Sequence, residues 1–230
     1  ILAGLPFLPL IAYAVDPSVE VTLLAKEGAS VEGEKVAKIQ GPMGSLLSME
    51  RTLINFLQHA TSIATETARY VKEAGGKCDI LDTRKTLPCH RFLQKYAVKI
   101  GGGKNHRFHL ADHILIKDNH LIALQVSEAI QKARESHPSK KIQVEVENLE
   151  MFDEAVKMEP DAIMLDNMSL EEMREAVKRN NRGIYLEASG GIELENIRSI
   201  ADTGVDGISV GKLTHTIKAV DVSIEIRRNT

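Results

Sequence analysis

The sequence predicts an α/β fold built from parallel strands in barrel-type βα repeats, with a smaller sheet ahead of them. Three observations lead there. Short apolar runs alternate with amphipathic stretches over residues 79–212, and such alternation implies parallel strands joined by right-handed crossovers. The last four runs begin roughly twenty residues apart, the tight unit expected of barrel repeats. Each run is apolar in its body and polar at its C-terminal end, where parallel α/β sheets and barrels bind ligands.

A chain of 230 residues can bury a large core. Its 43% hydrophobic and 27% charged content is ordinary for a globular protein. A net charge of −3 argues against a general nucleic-acid surface, which needs a basic excess. Cys78 and Cys89 form neither a metal pattern nor a disulfide framework, so they read as reduced thiols in a cytoplasmic protein. The opening "ILAGLPFLPLIAYAV" is apolar, but it is short, interrupted by Pro6 and Pro9, and lacks a basic flank. Neither it nor any later window suits a membrane span. Because the first residue is Ile, further residues are expected to precede it.

Taken in order, residues 19–40 hold short β-type runs separated by Gly28 and Gly33, the small sheet. "GPMGS" (41–45) reads as a loop and a domain boundary. Ser48 then reads as the cap of a long helix with Leu53, Phe56, Leu57, Ile63 and Ala64 on one face, stopped by Gly75-Gly76. The strands follow as "DILDTRK" (79–85), "HILIKDNH" (113–120), "IQVEVEN" (142–148), "DAIMLDN" (161–167), "IYLEASGG" (184–191) and "VDGISVGK" (205–212). Between them, "SLEEMREAVKRN" carries a capping box, Ser169 with Glu172, and "ELENIRSIADTG" reads as a further helix.

The strand ends gather the chemistry. Arg84, Lys85, His106, Arg107 and Lys117 supply cations, two of them from the glycine-rich "GGGKNHR" (101–107). Taken alone that run is a flexible connector; beside Asn-His-Arg it reads as a loop that lets backbone approach an anion. It is neither a P-loop nor a dinucleotide fingerprint. Arginines offer carboxylates and phosphates paired donors and lysines offer point charges, so the mouth suits a ligand with several negative charges. Glu145 and Asp166, on neighbouring strands, suit Mg²⁺ shared with substrate phosphates, or a salt bridge to a mouth cation. "SGG" (Ser189, Gly190, Gly191) and "SVGK" (Ser209, Val210, Gly211) offer backbone N–H groups and hydroxyls for a phosphate, with His215 just after. The other histidines show no metal spacing, and no hydrolase triad can be assembled.

These residues carry a family. The stretches "ERTLINFLQHATSIAT" (50–65), "DTRKTLPCHRFLQKYAVKIGGGKNHRFHLADHILIKDNH" (82–120), "VEVENLE" (144–150), "IMLDNMS" (163–169), "EASGGI" (187–192) and "TGVDGISVGKLTH" (203–215) resemble quinolinate phosphoribosyltransferase, also called nicotinate-nucleotide pyrophosphorylase (carboxylating). The likeness runs in order from about residue 4 to the end. Two places depart from it. Pro88-Cys89-His90-Arg91 stands where the family usually has Pro-Gly-Leu-Arg, and His109 where a small residue is common.

The resemblance implies an incomplete α/β barrel (48–230) joined to a partial open-faced α/β sandwich (1–47), with the C-terminal tail packing back on the latter. It implies transfer of phosphoribosyl from phosphoribosyl pyrophosphate to quinolinate with release of pyrophosphate and CO2, giving nicotinate mononucleotide for NAD synthesis. It implies Mg²⁺, and a head-to-tail homodimer with shared sites, in some members a hexamer. By the same likeness Arg84, His106, Arg107 and Lys117 surround the quinolinate carboxylates, with Thr83 and Lys85 beside them. Glu145 and Asp166 lie near the ribose and the metal, and with Lys117 form the catalytic group. Ser189, Gly190, Gly191, Ser209, Val210, Gly211 and His215 hold phosphate. Arg51 reaches the partner's mouth; read as part of a first helical turn, it sits where the helix dipole disfavours a cation, so a role outside its own helix is expected. Two other readings stay open: a related transferase for another aromatic acid, some of whose relatives are associated with molybdenum transport, and a non-catalytic sensor. The paired Arg84 and His106-Arg107 favour a dicarboxylate, and the two acids favour an enzyme.

Overall fold

The computed structural model describes residues 1–227. They form two compact units: one from residues 1–68, 86–103 and the chain from 213 on, the other from 69–85 and 104–212.

The chain opens with α1 (Phe7–Val15), β1 (Glu20–Leu23), β2 (Ala37–Gln40) and the 32-residue α2 (Met43–Ala74). Pro9 is tolerated in α1 because it lies in the first turn, where its missing N–H has no intrahelical acceptor. β1 and β2 pair antiparallel, and Leu2, Leu5, Leu8, Ala12, Met49, Leu53 and Leu57 close a core beneath them. Val222 and Ile224 of the C-terminal tail pack against that core, and Val220 is held by Gln58 and Ser62.

Then come β3 (Asp79–Leu81), α3 (Arg91–Ile100), β4 (Ile114–Ile116), α4 (Asp118–Leu121), α5 (Val126–Ser136), β5 (Ile142–Val146), α6 (Leu149–Lys157), β6 (Ala162–Asp166), α7 (Leu170–Arg179), β7 (Tyr185–Ser189), α8 (Ile197–Ala201), β8 (Gly207–Ser209) and α9 (Lys212–His215). β3 to β8 form one parallel sheet in the order β3-β8-β7-β6-β5-β4. This is barrel order with one seam unsealed: β3 and β4 are both edges and do not pair with each other, so the barrel is incomplete, as expected.

Register sorts the side chains. Glu145, Met164, Glu187, Gly207 and Asp79 stand opposite one another across five strands. Since alternate residues share a face, Gln143 and Glu145 of β5, Asp166 of β6 and Ser189 of β7 lie on that same face. Gly207 is glycine for a steric reason: a Cβ there would stand 2.2 Å from the Tyr185 hydroxyl and 2.7 Å from Leu81 Cδ1. The opposite face is apolar, with Val144, Ile163, Leu165, Leu186, Ala188 and Ile208 buried, as are Phe152 and Ala155 of α6 and Met173 and Ala176 of α7.

The Ser169–Glu172 capping box of α7 forms as read, and Gly75 and Gly76 end α2 with positive φ. Two expectations need correction. α2 begins at Met43, inside the stretch read as a loop, because Pro42 opens it and accepts the Leu46 N–H. Ser48 is therefore not a cap; its hydroxyl donates to the Gly44 carbonyl one turn back, at 2.8 Å. Arg51 consequently lies about two turns into α2, beyond the reach of the dipole argument. The stretch "ELENIRSIADTG" supplies only the five-residue α8, since Asn196 accepts the Glu193 N–H in a turn before it. No helix among the described residues is long and apolar enough to cross a membrane.

Candidate active site

β3 ends in a buried acid, and that acid organises the cationic loop. Asp82 is fully buried; its carboxylate accepts the His106 N–H at 2.9 Å and the Asn105 side-chain amide at 2.6 Å. The backbones join as well, Lys104 N–H to the Ile80 carbonyl and Asp82 N–H to the Lys104 carbonyl. The "GGGKNHR" loop is thereby stitched to the end of β3, which places His106-Arg107 beside Thr83-Arg84. The Thr83 hydroxyl accepts the Lys85 N–H at 3.0 Å and shapes the turn, leaving Lys85 exposed.

Arg107 is only 9% exposed and donates to the His113 carbonyl at 3.1 Å. Burial, and after it the like charge of Arg84, push its pKa below the ordinary arginine value, with Asp112 acting the other way. Two guanidinium groups that disfavour each other in a low-exposure mouth are relieved by an anion placed between them.

His106 is half-buried, its side chain 8% exposed, and its ring is held at both nitrogens. Nδ1 accepts the Arg107 N–H at 2.8 Å, and Nε2 lies 3.1 Å from Gln143 Oε1 and 3.5 Å from Glu187 Oε2. Direct contact with a substrate carboxylate would require one of these bonds to open. His113 Nε2 meets the same Gln143 oxygen at 3.2 Å. Burial, then the charges of His106 and Arg107, lower the His113 pKa, which keeps its ring neutral near pH 7.

Lys117, at the end of β4, bridges to Glu145 with Nζ 2.7 Å from Oε2. Its backbone N–H donates to His120 Nδ1 at 3.0 Å. Asp166 ends β6, partly exposed, and accepts the Asn167 amide at 2.8 Å. Asn167 has positive φ and donates its N–H to the Ser189 carbonyl, so the ends of β6 and β7 are tied together. Gly190 follows with φ 89°, and a Cβ there would fall 2.1 Å from the Asn167 side-chain oxygen. Gly190 and Gly191 N–H groups have no acceptor among the described residues, which suits them to a phosphate. Val210 differs: it is buried and its N–H donates to the Leu81 carbonyl at 2.9 Å, so it ties β8 to β3. Ser209 is buried on the barrel side of that tie, and Gly211 follows it. Arg51, exposed on α2, and His215, exposed at the end of α9, belong to the first unit. That unit also holds a cavity of about 390 Å³ lined by Thr52, His59, Leu87, His90 and Ile217, which shares no residue with the barrel mouth.

Asp82, His113, Gln143 and Glu187 were not singled out from the sequence. Glu187 and Gln143 look like strand-interior residues, and only the odd-numbered register of β5 and β7 would have turned them inward with Glu145 and Ser189.

No cluster of three metal-ligating side chains occurs among the described residues. Mg²⁺ needs no such cage, since it keeps several waters and binds through one or two carboxylates plus substrate phosphates. Glu145 and Asp166, hard oxygen donors on one face of adjacent strands, fit that mode.

A parallel barrel whose strand ends present arginines, lysine, two acids and glycine N–H groups defines an enzyme of anionic, phosphate-bearing substrates. Comparison with known proteins narrows this. The family "Quinolinate phosphoribosyl transferase, C-terminal domain" matches residues 63–225 and its N-terminal domain matches residues 1–61. The nicotinate-nucleotide pyrophosphorylase (carboxylating) of Mycobacterium leprae is 42% identical, over 87% of this chain and 73% of its own. A quinolinate phosphoribosyltransferase (decarboxylating) of Nicotiana glauca is 40% identical, over 98% and 70%. The crystal structure of nicotinate-nucleotide pyrophosphorylase from Ehrlichia chaffeensis superposes with a TM-score of 0.94 at 36% identity, covering 99% of this chain and 84% of that one. The chain belongs to the quinolinate phosphoribosyltransferase family.

Proposed function

We infer that this chain is a pentosyltransferase that joins quinolinate to phosphoribosyl pyrophosphate, releasing pyrophosphate and CO2 and forming nicotinate mononucleotide for NAD synthesis. The observation that carries this reading is the buried Asp82 carboxylate fastening the loop of His106 and the buried Arg107 to the end of β3, next to Arg84, which gathers cations suited to a dicarboxylate. Family membership agrees with it.

In this account Arg84, Arg107 and Lys117 hold the two carboxylates of quinolinate, with Thr83, Lys85 and His106 shaping their surroundings. The ring nitrogen then faces C1 of the ribose and attacks it as the C1–O bond to pyrophosphate breaks. Glu145 and Asp166 face the positive charge that develops on the ribose, and preorganised carboxylates stabilise such charge. Lys117, which also bridges to Glu145, offers its ammonium to a quinolinate carboxylate. Ser189, Gly190, Gly191, Ser209 and Gly211 form the phosphate cradle. Glu145 and Asp166 would hold Mg²⁺ together with the substrate phosphates; when bound, the ion neutralises charge on the departing pyrophosphate. The positive ring nitrogen next stabilises the electron pair that stays on C2 as CO2 departs, and that pair takes up a proton. Holding two anionic substrates in reacting geometry supplies much of the acceleration.

We also propose a head-to-tail homodimer, with a hexamer as a further assembly, in which Arg51 and His215 serve a shared site. Exposed Leu10, Tyr13, Leu24 and Leu47 on the first unit support an interface. Two cysteines that form no disulfide fit the cytoplasm.

The test is release of labelled CO2 from 2-carboxyl-labelled quinolinate, dependent on phosphoribosyl pyrophosphate. Turnover of nicotinate without CO2 release from quinolinate would overturn the reading.

A further inference from the structure

Beneath the cationic mouth the barrel interior holds a carboxylate that the reaction does not use. Glu187 is 2% exposed, and one of its oxygens, Oε1, has no hydrogen-bond partner among the described residues. The other, Oε2, accepts the Gln143 side-chain amide at 2.9 Å and lies 3.5 Å from His106 Nε2. His106 is its one ion-pair partner among the described residues. Burial raises the Glu187 pKa, but the hydrogen bonds of its carboxylate with His106 and Gln143 outweigh that and hold it below the ordinary carboxylate value. A buried ion pair is weak evidence for stability, since replacing the whole pair by apolar groups is often neutral or better.

What the carboxylate does settle is direction. An ionised carboxylate only accepts, so it turns the Gln143 NH₂ toward itself and the Gln143 oxygen away. That oxygen meets Nε2 of both His106 and His113, so each neutral ring must carry its proton on Nε2. The two histidines hold the same residue, His106 through its ring and His113 through its backbone. His106 Nδ1, left as an acceptor, takes the Arg107 N–H at 2.8 Å, and the His113 carbonyl takes Arg107 Nη1 at 3.1 Å. Were Gln143 to turn over, its NH₂ would face the rings, His106 would shift its proton to Nδ1, and that proton would oppose the Arg107 N–H.

We propose that Glu187 is a positioning residue for Arg107, acting through Gln143 and the imidazole of His106. Its importance for catalysis rests on the reading above that Arg107 binds quinolinate.

Two variants of the full chain test it. Glu187→Met removes the acceptor while keeping the volume. The reciprocal exchange Glu187→Gln with Gln143→Glu moves the charge one place, so the new carboxylate still accepts from both rings and the new amide still donates to it. In ¹⁵N-histidine spectra of the substrate-free protein, His106 and His113 should be Nε2–H tautomers in the wild type and in the exchange, but mixed in Glu187→Met. In kinetics, Glu187→Met should raise the quinolinate KM at least tenfold and move the phosphoribosyl pyrophosphate KM less than twofold. The exchange should return the quinolinate KM to within threefold of wild type. Retained Nε2–H tautomers in Glu187→Met, or a failure of the exchange to restore them, would overturn the relay. If Glu187→Met does not fold, Gln143→Met is read by the same spectra with the same criterion. Loss of the tautomers without a quinolinate effect would leave the relay standing and refute its link to substrate. A wild-type protein with no quinolinate turnover would refute the activity instead, and the spectra would still decide the relay.

Discussion

Removing the Asp82 carboxylate should unfasten the mouth without unfolding the barrel. Asp82→Ala deletes the acceptor of the His106 N–H (2.9 Å) and of the Asn105 amide (2.6 Å). Hydrogen bonds to a charged acceptor contribute about 1.5–3 kcal/mol each, so the pair is worth about 3–6 kcal/mol where nothing replaces them. Asn105 is exposed and its amide can turn to water, while His106 is half-buried; we take this to recover about a third of that, leaving about 2–4 kcal/mol against the ordered loop. At 1.4 kcal/mol per decade, kcat/KM for quinolinate should fall by about 30- to 1000-fold. Asp82→Asn should fall less than about tenfold: one oxygen still accepts the His106 N–H, and Asn105 can reverse its amide to meet the new NH₂. The assay is initial velocity against quinolinate at saturating phosphoribosyl pyrophosphate, with Tm measured in parallel. Asp82→Ala within threefold of wild type, or Asn as damaging as Ala, would refute the idea that this carboxylate positions the loop.

Four further outcomes are expected. Cys89 is exposed with φ 63°, so Cys89→Gly should stabilise by about 1 kcal/mol, seen as a higher denaturant midpoint at constant slope; a lower midpoint contradicts it. Arg84→Ala should keep its circular dichroism and lose about 2–5 kcal/mol of transition-state stabilisation, and near-normal quinolinate turnover would sink the assignment. Asp166→Ala should raise the phosphoribosyl pyrophosphate KM more than the quinolinate KM, and excess chelator should abolish wild-type turnover; equal activity with and without chelator counts against this. Mixing Arg51→Ala with Lys117→Ala subunits should restore activity to about a quarter of all sites, because half the dimers are mixed and each has one intact site. A mixture as dead as its parents after verified subunit exchange rules out sharing across the dimer.

Much of this was legible in the residues. The barrel strands, the polar strand ends and the α7 capping box follow from hydrophobic periodicity and from a local hydrogen bond that needs only four consecutive residues. The start of α2 was not legible, because "GPMGS" contains two glycines and a proline and only the Leu46 N–H to Pro42 carbonyl bond shows that the helix is already under way. For Glu145 the sequence left a metal ligand and a salt bridge open, and the structure shows the bridge to Lys117 at 2.7 Å. Glu187 and Gln143 could not be picked out at all. Their meaning depends on strands separated by β6, and no spacing along the chain encodes who stands across a barrel. The first unit's recruitment of residues 86–103 is likewise invisible to periodicity, since α3 has the same amphipathic pattern as a crossover helix would.

The unsealed seam between β3 and β4 has a consequence for how the protein is made. β4 to β8 pair in the order in which they leave the ribosome, each strand finding its neighbour already in place. β3 is synthesised first and has no such neighbour: Asp79 waits for Gly207, 207 − 79 = 128 residues later. At about 5–20 residues per second that is about 6–26 s during which a strand edge carrying Asp82, Arg84 and Lys85 lies unpaired in the nascent chain. Those charges are the kind that deter edge-to-edge association. The residues read here as the substrate's anchor would therefore also guard the chain against aggregation before there is any site to anchor to.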